Sequence, residues 1–402
     1  MQFKDIPGQN ETASHLREMA NNNRLGHALL FLSKEGAGAL PLALAFSQYL
    51  VCEKRKNQHA TGKTSLFGEE VLDDLKTGEF SEDSCGECPS CIRAQQFIHP
   101  DIHFTYPVFA KKSGVKPVSA HFGNEWREFL KTSPYANVFD WLQFIGAENQ
   151  QGNITAEECT EIIRILSLKS FEIGLKILIL WMPEYLKKEG NKLLKLIEEP
   201  PPDTLFILVS ESEDLILPTI VSRCQLIKIP TIESSALIET LIEKHEISRE
   251  IASQAVAIAA GNYREALQII RESDEDWQTV LSQWLNFAIR RMLAEQVKWI
   301  DDMSKFGREK QKQFLRYFLH LCELSIRINV LNSSEITASQ KEIDFAKRLN
   351  KVASIEQLEA IAAELTNAIY FIERNANAKL LFHALTIKLY HIIDQKTLIL
   401  TG

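Results

Sequence analysis

Residues 176–184 have the sequence KILILWMPE, and the stretch that begins there decides the fold. Positions 177–180 are all apolar, a run too short for a free-standing helix and typical of a strand buried on both faces. A helix-like segment, 191–199, and a second apolar run, 205–210, follow it. Two buried strands joined by a helix make a βαβ unit, whose active edge lies at the carboxyl ends of the strands. At that edge the first strand presents a Trp and a Met, where a nucleotide-hydrolysing enzyme would carry carboxylates.

Length and composition bound the class of protein. A chain of 402 residues is too long for one core, so we expect two or three domains. The net charge of −8 gives no support for a chain that coats nucleic acid unaided. No apolar run approaches the ~20 residues of a membrane span, and the first residues lack the apolar core of a signal peptide. We therefore expect a cytoplasmic protein without a membrane association.

A glycine-rich turn follows a third apolar run at 25–32 and opens a helix. This order is the context of a phosphate-binding loop, in which backbone N–H groups cradle phosphates, a Lys neutralises them and a Ser or Thr holds Mg²⁺. Gly36 and Gly38 are in place, but Ala39 and Leu40 occupy the positions of the Lys and the Ser or Thr. We expect this degenerate loop to lack nucleotide hydrolysis and tight nucleotide binding.

The cysteines predict a metal site. Cys85, Cys88 and Cys91 are spaced two residues apart, so their thiolates can surround one tetrahedral ion that takes a fourth ligand from elsewhere. Cys52, which ends the helix after the glycine loop, is the best candidate for that ligand. The rival candidates are histidines: His59, His99 and His103. Structural Zn²⁺ is favoured over an iron–sulfur cluster, a redox pair or unliganded thiols, and four protein ligands would leave no open position for catalysis.

Two segments are predicted to be insertions. The polar residues between Cys52 and Cys85 interrupt a zinc module of about 52–100, and a second insertion covers about 107–150. The second insertion is rich in aromatic and basic residues, which can stack on single-stranded nucleic acid. Packing of a local helix against the main domain is the favoured interpretation. The aromatic residues are Phe122, Trp126, Phe129, Tyr135, Phe139, Trp141 and Phe144.

Together the motifs resemble the bacterial clamp-loader subunits of the AAA+ class. The resemblance is specific in residues 25–52, 85–101 and 154–270 and weaker elsewhere. Besides the glycine loop and the cysteines, it rests on four sequence motifs: His27–Leu30, His99–Asp101, Asn191–Pro201 and Ser222–Cys224.

The resemblance implies three domains. Residues 1–230 would form an α/β AAA+ P-loop-type domain with a parallel sheet and the zinc module. Residues 231–275 would form a small helical lid, and residues 276–402 an all-α collar for oligomerisation. The chain would then belong to the hetero-pentameric clamp loader of the DNA polymerase III holoenzyme. Its partners would be the gamma/tau and delta subunits and, through the complex, the sliding clamp and primer–template DNA.

The resemblance also implies roles for individual residues. In the family, an acidic signature that holds Mg²⁺ follows the strand near Leu180, and only Glu184 of that signature remains here. With the loop Lys missing as well, we expect a non-hydrolysing subunit, and ATP bound only in neighbouring subunits. The motif around Arg223 is intact and implies an arginine finger directed at a neighbour's ATP, a task that suits the permanent charge and fixed fork of Arg. Arg264 lies where lids carry a nucleotide-sensing Arg.

Several alternatives stay open at this level. The chain could be an active gamma/tau-type ATPase with an unusual loop, or a zinc-dependent nucleic-acid-binding module with the AAA+ region as a scaffold. For Arg223 the alternative is a local surface salt bridge, and for Arg264 it is an ordinary position on a helix surface.

Overall fold

The computed structural model describes most of the chain, in these ranges: 1–55, 82–110, 116–147, 151–172, 174–271, 276–330, 338, 340–374 and 376–394. His59 and most of the first predicted insertion therefore lie outside the described residues. The chain divides into two compact units. The first is Met1–Leu237 with Gly261–Arg264, and the second is Ile238–Ala260 with Glu265–Gly402. The predicted domain boundaries at 230 and 275 stay predictions.

The first unit is built on a five-stranded sheet in which all neighbouring strands are parallel. The strands are β1 (Ala28–Ser33), β2 (Ile102–Thr105), β3 (Lys176–Trp181), β4 (Thr204–Ser210) and β5 (Gln225–Ile229). Their spatial order is β2-β3-β4-β1-β5, and every residue of β3 and β4 is buried. The continuous apolar runs thus form the central strands, as predicted for strands covered on both faces.

Helices cover both faces of this sheet, because successive side chains of a strand point to opposite sides. Ile177 and Ile179 of β3 belong to the core that contains α1 and α2, whereas Leu178 and Leu180 belong to the core on the other face. The helices are α1 (Asn10–Asn21), α2 (Ala39–Val51), α3 (Pro89–Gln95), α4 (Gly123–Thr132), α5 (Val138–Phe144), α6 (Ala156–Ser167), α7 (Leu194–Glu198) and α8 (Pro218–Val221). Short 3₁₀ segments supplement them at Phe3–Asp5, Ser119–Phe122, Pro183–Leu193 and Glu213–Leu215.

The second predicted insertion is part of the first core. Trp126 of α4 and Trp141 of α5 are buried with their ring centroids 5.0 Å apart, and Tyr106 stacks on Trp126 at 4.0 Å. The indole Nε1 of Trp141 donates a hydrogen bond to the Pro107 carbonyl at 2.7 Å. Rings buried in this way have no free face for a nucleic-acid base, so for Trp126 and Trp141 the structure supports packing over stacking.

The second unit is helical throughout its described residues. It takes in most of α9 (Ser234–His245) and α11 (Tyr263–Arg271), together with α10 (Arg249–Ala259), α12 (Trp277–Ile289), α13 (Leu293–Lys305), α14 (Arg308–Val330), α15 (Gln340–Leu349), α16 (Ile355–Glu373) and α17 (Ala378–Asp394). Trp284 and Trp299 stack at 4.9 Å in the centre of its core. The predicted fold class, an α/β domain with a parallel sheet followed by an all-helical region, is confirmed. Within the described residues, no helix has the length and apolar content to span a bilayer.

Candidate metal centre and the edge of the sheet

Four cysteines lie together beside the end of α2. Cys52 follows the last residue of α2, Cys88 caps the amino end of α3, and Cys91 lies in the first turn of that helix. With Cys85 they form a group whose Sγ atoms all lie within 4.8 Å of one another, and three of the four residues are buried. The structure thus brings together the four cysteines that the sequence predicted. His99 and His103 are not part of this group.

Backbone amide groups donate hydrogen bonds to three of the four cysteine sulfurs. The amide groups of Cys85, Cys88 and Cys91 donate hydrogen bonds to the Sγ atoms of Cys52, Cys85 and Cys88 at 3.4, 3.3 and 3.4 Å. A hydrogen bond between the thiols of Cys52 and Cys91 lowers the pKa of Cys52 and raises the pKa of Cys91. Four convergent sulfurs with amide hydrogen bonds are a donor set that can hold a metal ion.

The His99–Asp101 motif has a structural role next to this group. The Asp101 carboxylate accepts hydrogen bonds from the amides of Phe171 and Glu172 at 2.7 and 2.8 Å. The imidazole Nε2 of His99 lies 3.3 Å from the Glu172 carboxylate, and the Ser90 hydroxyl of α3 lies 2.7 Å from the same group. The motif therefore fixes the segment before β3 to the cysteine module, and His99 is a carboxylate partner rather than a metal ligand.

The glycine loop lies between β1 and α2 in the form that the sequence predicts. Gly36 and Gly38 have φ angles of +70° and +96°, which glycine adopts without strain. Other parts of the chain contact both residues. A Cβ at Gly36 would clash with the Asn262 side chain, and the Gly36 carbonyl accepts a hydrogen bond from the Tyr263 amide at 3.1 Å. A Cβ added to Gly38 would lie 3.1 Å from the ring of Tyr135.

Little space remains above this loop at the carboxyl ends of the strands. The cavity there has a volume of about 20 Å³, room for about one water molecule, whereas ligand pockets usually have ~300–1,000 Å³. Its lining includes Leu40, Tyr135, Trp181 and Met182. Tyr135 comes from the second insertion, and no spacing in the sequence placed it against the loop.

Glu184, the remaining acid of the expected signature, does not line this cavity. Its carboxylate accepts hydrogen bonds from the Ser210 hydroxyl and from the amides of Glu211 and Ser212, the last two at 2.8 and 3.1 Å. Burial raises the pKa of the Glu184 carboxyl. Glu184 therefore joins the end of β3 to the turn after β4, which is a structural task.

Arg223 lies at the surface just after α8. Its Nε donates to Oε1 of Glu198 at 2.5 Å, and its Nη1 donates to the Thr219 carbonyl at 2.7 Å. The side chain is 33% exposed. The local salt bridge that formed the alternative for Arg223 is thus present, and the role as an arginine finger stays a prediction. Burial raises the pKa of the neighbouring Cys224 thiol to about 11.

Arg264 is not a helix-surface residue. Its side chain is only 9% exposed and lies between two carboxylates. Nη2 donates to Oδ1 of Asp140 at 2.7 Å, Nε also contacts Asp140, and Nη1 lies 3.1 Å from Oε1 of Glu35. The sequence did not indicate either partner. The sequence does contain an Asn-x-x-Asp capping pattern from Asn137 to Asp140. This pattern could have indicated that α5 begins there and that the cap fixes the Asp140 carboxylate.

Comparisons with known proteins bear on the same regions. A protein-family model described as "DNA polymerase III, delta subunit" matches residues 8–69 and 66–233. The chain is 25% identical over 254 residues to DNA polymerase III subunit delta' of Bacillus subtilis, which covers 63% of this chain and 56% of that protein. It is 24% identical over 277 residues to DNA polymerase III subunit delta' of Haemophilus influenzae, at 68% and 64% coverage. The matches thus span less than two thirds of either relative.

Among solved structures, the chain is similar to a DNA polymerase III gamma subunit-related protein of Thermotoga maritima. The TM-score is 0.34 at 14% identity, over 93% of this chain and 98% of that one. A TM-score at this level adds nothing to the fold described above. The resemblance seen in the motifs is confirmed by the family match, which spans more than half of the 402 residues. The chain therefore belongs to the DNA polymerase III delta-subunit family.

Proposed function

We propose that this chain is a delta-prime-type, non-hydrolysing subunit of the DNA polymerase III clamp loader. In this role it supports ATP-driven loading of the sliding clamp onto primed DNA during replication. Its partners are gamma/tau and delta subunits in a ring of five, with the clamp and the primer–template DNA contacted through the complex. Membership of the family and similarity to two delta' subunits support this proposal.

The proposal that the subunit does not hydrolyse ATP rests on the small volume left above the glycine loop. A triphosphate needs cationic side chains and a metal ion beside its phosphates. Here Ala39 and Leu40 supply no charge, and Tyr135 packs against Gly38. A cavity of about 20 Å³ cannot take a nucleotide. ATP is accordingly assigned to neighbouring subunits.

Arg223 is the residue proposed to serve a neighbour's ATP. Guanidinium groups suit this task because they stay charged and present several donors in a fixed fork. One third of the Arg223 side chain is exposed, and Glu198 and Thr219 hold it in one orientation. A positioned, partly exposed arginine can contact a phosphate on another chain without a large rearrangement.

The four cysteines are proposed to hold one structural Zn²⁺ ion. Thiolate sulfur is the ligand type that Zn²⁺ accepts in closed, four-coordinate sites. The group uses Cys52, Cys85, Cys88 and Cys91, so the ion would join the end of α2 to α3. A closed site of this kind stabilises the local fold and carries out no reaction.

Two measurements test the proposal. Equilibrium binding of a fluorescent ATP analogue with Mg²⁺ to the purified chain should show no saturation in the micromolar range. In a loader reconstituted with its partner subunits, Arg223→Ala should lower ATP turnover at least tenfold and leave assembly intact, since arginine fingers contribute ~10³–10⁵ in related phosphoryl transfers. Arg164→Ala is the control, because Arg164 is also exposed and ion-paired with a glutamate. Tight Mg²⁺-dependent binding, or unchanged turnover with Arg223→Ala, would contradict the proposal.

A further inference from the structure

The contact between Arg264 and Asp140 has the geometry of anion recognition. Two nitrogens of the guanidinium face the two carboxylate oxygens of Asp140, and a third faces Glu35. A paired fork of this kind binds carboxylates and phosphates alike, because both present oxygens at matching spacing. Since the Arg264 side chain is almost completely buried, its charge needs such a partner in the folded chain.

This contact lies at the glycine loop rather than at a distant surface. Glu35 directly precedes Gly36, and the amide of Tyr263 donates to the Gly36 carbonyl. The Tyr263 ring lies 4.4 Å from the ring of Tyr135, which packs against Gly38. Residues 261–264, the glycine loop and the second insertion therefore meet around the Arg264 guanidinium.

The carboxylate of Asp140 is presented in a fixed position. Asp140 is the third residue of α5, where it forms a capping box with Asn137. The Asn137 amide donates to Oδ2 of Asp140 at 3.2 Å, and the Asp140 amide donates to Oδ1 of Asn137 at 3.0 Å. Because the helix cap fixes the backbone and the side chain together, Asp140 is preorganised to pair with Arg264.

We infer that the second insertion supplies an internal anion: the Asp140 carboxylate occupies, at Arg264, the position that a phosphate-type anion would otherwise take. The inference deepens the proposed function, because it names the group that substitutes for a nucleotide phosphate in this subunit. Removal of the Asp140 carboxylate should leave a site that binds a free phosphate-type anion, and the 27% exposure of its side chain gives that anion a route in.

The test uses thermal unfolding of the isolated full chain with inorganic pyrophosphate. Asp140→Ala should lower Tm by about 5 °C, because it leaves a buried charge without its main partner. Pyrophosphate should restore most of that loss with saturable dependence, in comparison with chloride at equal ionic strength. The wild-type protein and the Asp140→Ala/Arg264→Gln double variant should show no such effect. Glu128→Ala removes an exposed acid from the same insertion and should behave as wild type.

The outcomes separate this inference from the proposed function. Destabilisation of Asp140→Ala without rescue by pyrophosphate, or equal rescue in the double variant, would overturn the internal-anion role. Asp140→Asn covers the case in which Asp140→Ala does not fold, because asparagine keeps an acceptor for the capping box and removes only the charge. An unchanged Tm for Asp140→Asn would also overturn the inference. None of these results depends on the turnover of the assembled loader, so the Arg223 prediction is tested separately.

Discussion

Arg223 and Glu198 form an ion pair in which Nε of the arginine lies 2.5 Å from Oε1 of the glutamate. The two residues belong to different motifs, one after α8 and the other at the end of α7, and 25 positions separate them in the chain. Both side chains are partly exposed, at 33% for Arg223 and 44% for Glu198. The pair links the two motifs at the surface and fixes the direction of the guanidinium.

Glu198→Ala should weaken the action of Arg223 without unfolding the chain. An exposed ion pair is worth up to ~1 kcal/mol, so Tm should stay within about 4 °C of wild type and loader turnover should fall by up to ~5-fold. Turnover of the reconstituted loader is the measurement, and Glu199→Ala, at the adjacent exposed glutamate, is the control. In an Arg223→Ala background the Glu198 substitution should have no further effect. Faster turnover with Glu198→Ala would show that Glu198 holds the Arg223 guanidinium away from the neighbouring subunit's ATP instead of directing it there.

Loss of one cysteine ligand should release the metal. Elemental analysis of the purified chain should find about one zinc per chain, and Cys91→Ser should reduce this to a small fraction, because Cys91 is fully buried within the group. Alkylation of the remaining cysteines should become faster, since the liganded thiolates are protected. Cys322→Ser, at a buried cysteine of the second unit, should retain full zinc. A zinc content that does not change with Cys91→Ser would place the metal elsewhere.

The pH dependence of stability should report the buried carboxyl of Glu184. Burial raises its pKa in the folded chain above the value in the unfolded chain. The folded state therefore binds this proton more tightly, and the associated stability is present at low pH and lost as pH rises through the folded pKa. Glu184→Gln stays neutral, so Tm of the variant minus Tm of wild type should increase from pH 4 to pH 7.

Thermal unfolding across that pH range checks the prediction. Glu199→Gln is the matched control, because it makes the same chemical change at an exposed glutamate. A pH trend of equal size in both variants, or a difference for Glu184→Gln that decreases as pH rises, would contradict the sign given above.

Sequence patterns predicted the features that depend on short spacings. The apolar run at 177–180 predicted a buried strand, and the glycines at 36 and 38 predicted a turn before a helix. Both predictions were possible because hydrophobic periodicity and backbone preference are properties of a few consecutive residues. The interval between Cys85, Cys88 and Cys91 likewise predicted a group of thiols that could hold a metal ion, and the structure brings these thiols together. Cys52 was the candidate for the fourth ligand because it ends the helix after the glycine loop. The structure places its sulfur next to the other three.

Contacts over long intervals could not be predicted in this way. Arg264 and Asp140 are 124 positions apart, and Arg264 and Glu35 are 229 apart. Neither carboxylate belongs to a periodic pattern, and the charge of Arg264 gave no indication of its burial. Tyr135 was one of seven aromatic residues of the second insertion that we interpreted as packing against the main domain. Nothing in the sequence indicated that its ring would lie beside Gly38.

The amino-acid sequence already shows which groups are missing at the sheet edge: Ala39 stands where the phosphate-loop Lys would be, and Trp181 and Met182 stand where acids would be. The folded chain settled two further points that depend on long-range contacts: Tyr135 lies beside Gly38 at that edge, and the Asp140 carboxylate pairs with Arg264. The physical reason is that the chemical identity of a residue is local, whereas the partner of a buried charge depends on the path of the whole chain. The second insertion packs into the first core through Trp126 and Trp141, and that packing brings Asp140 to Arg264.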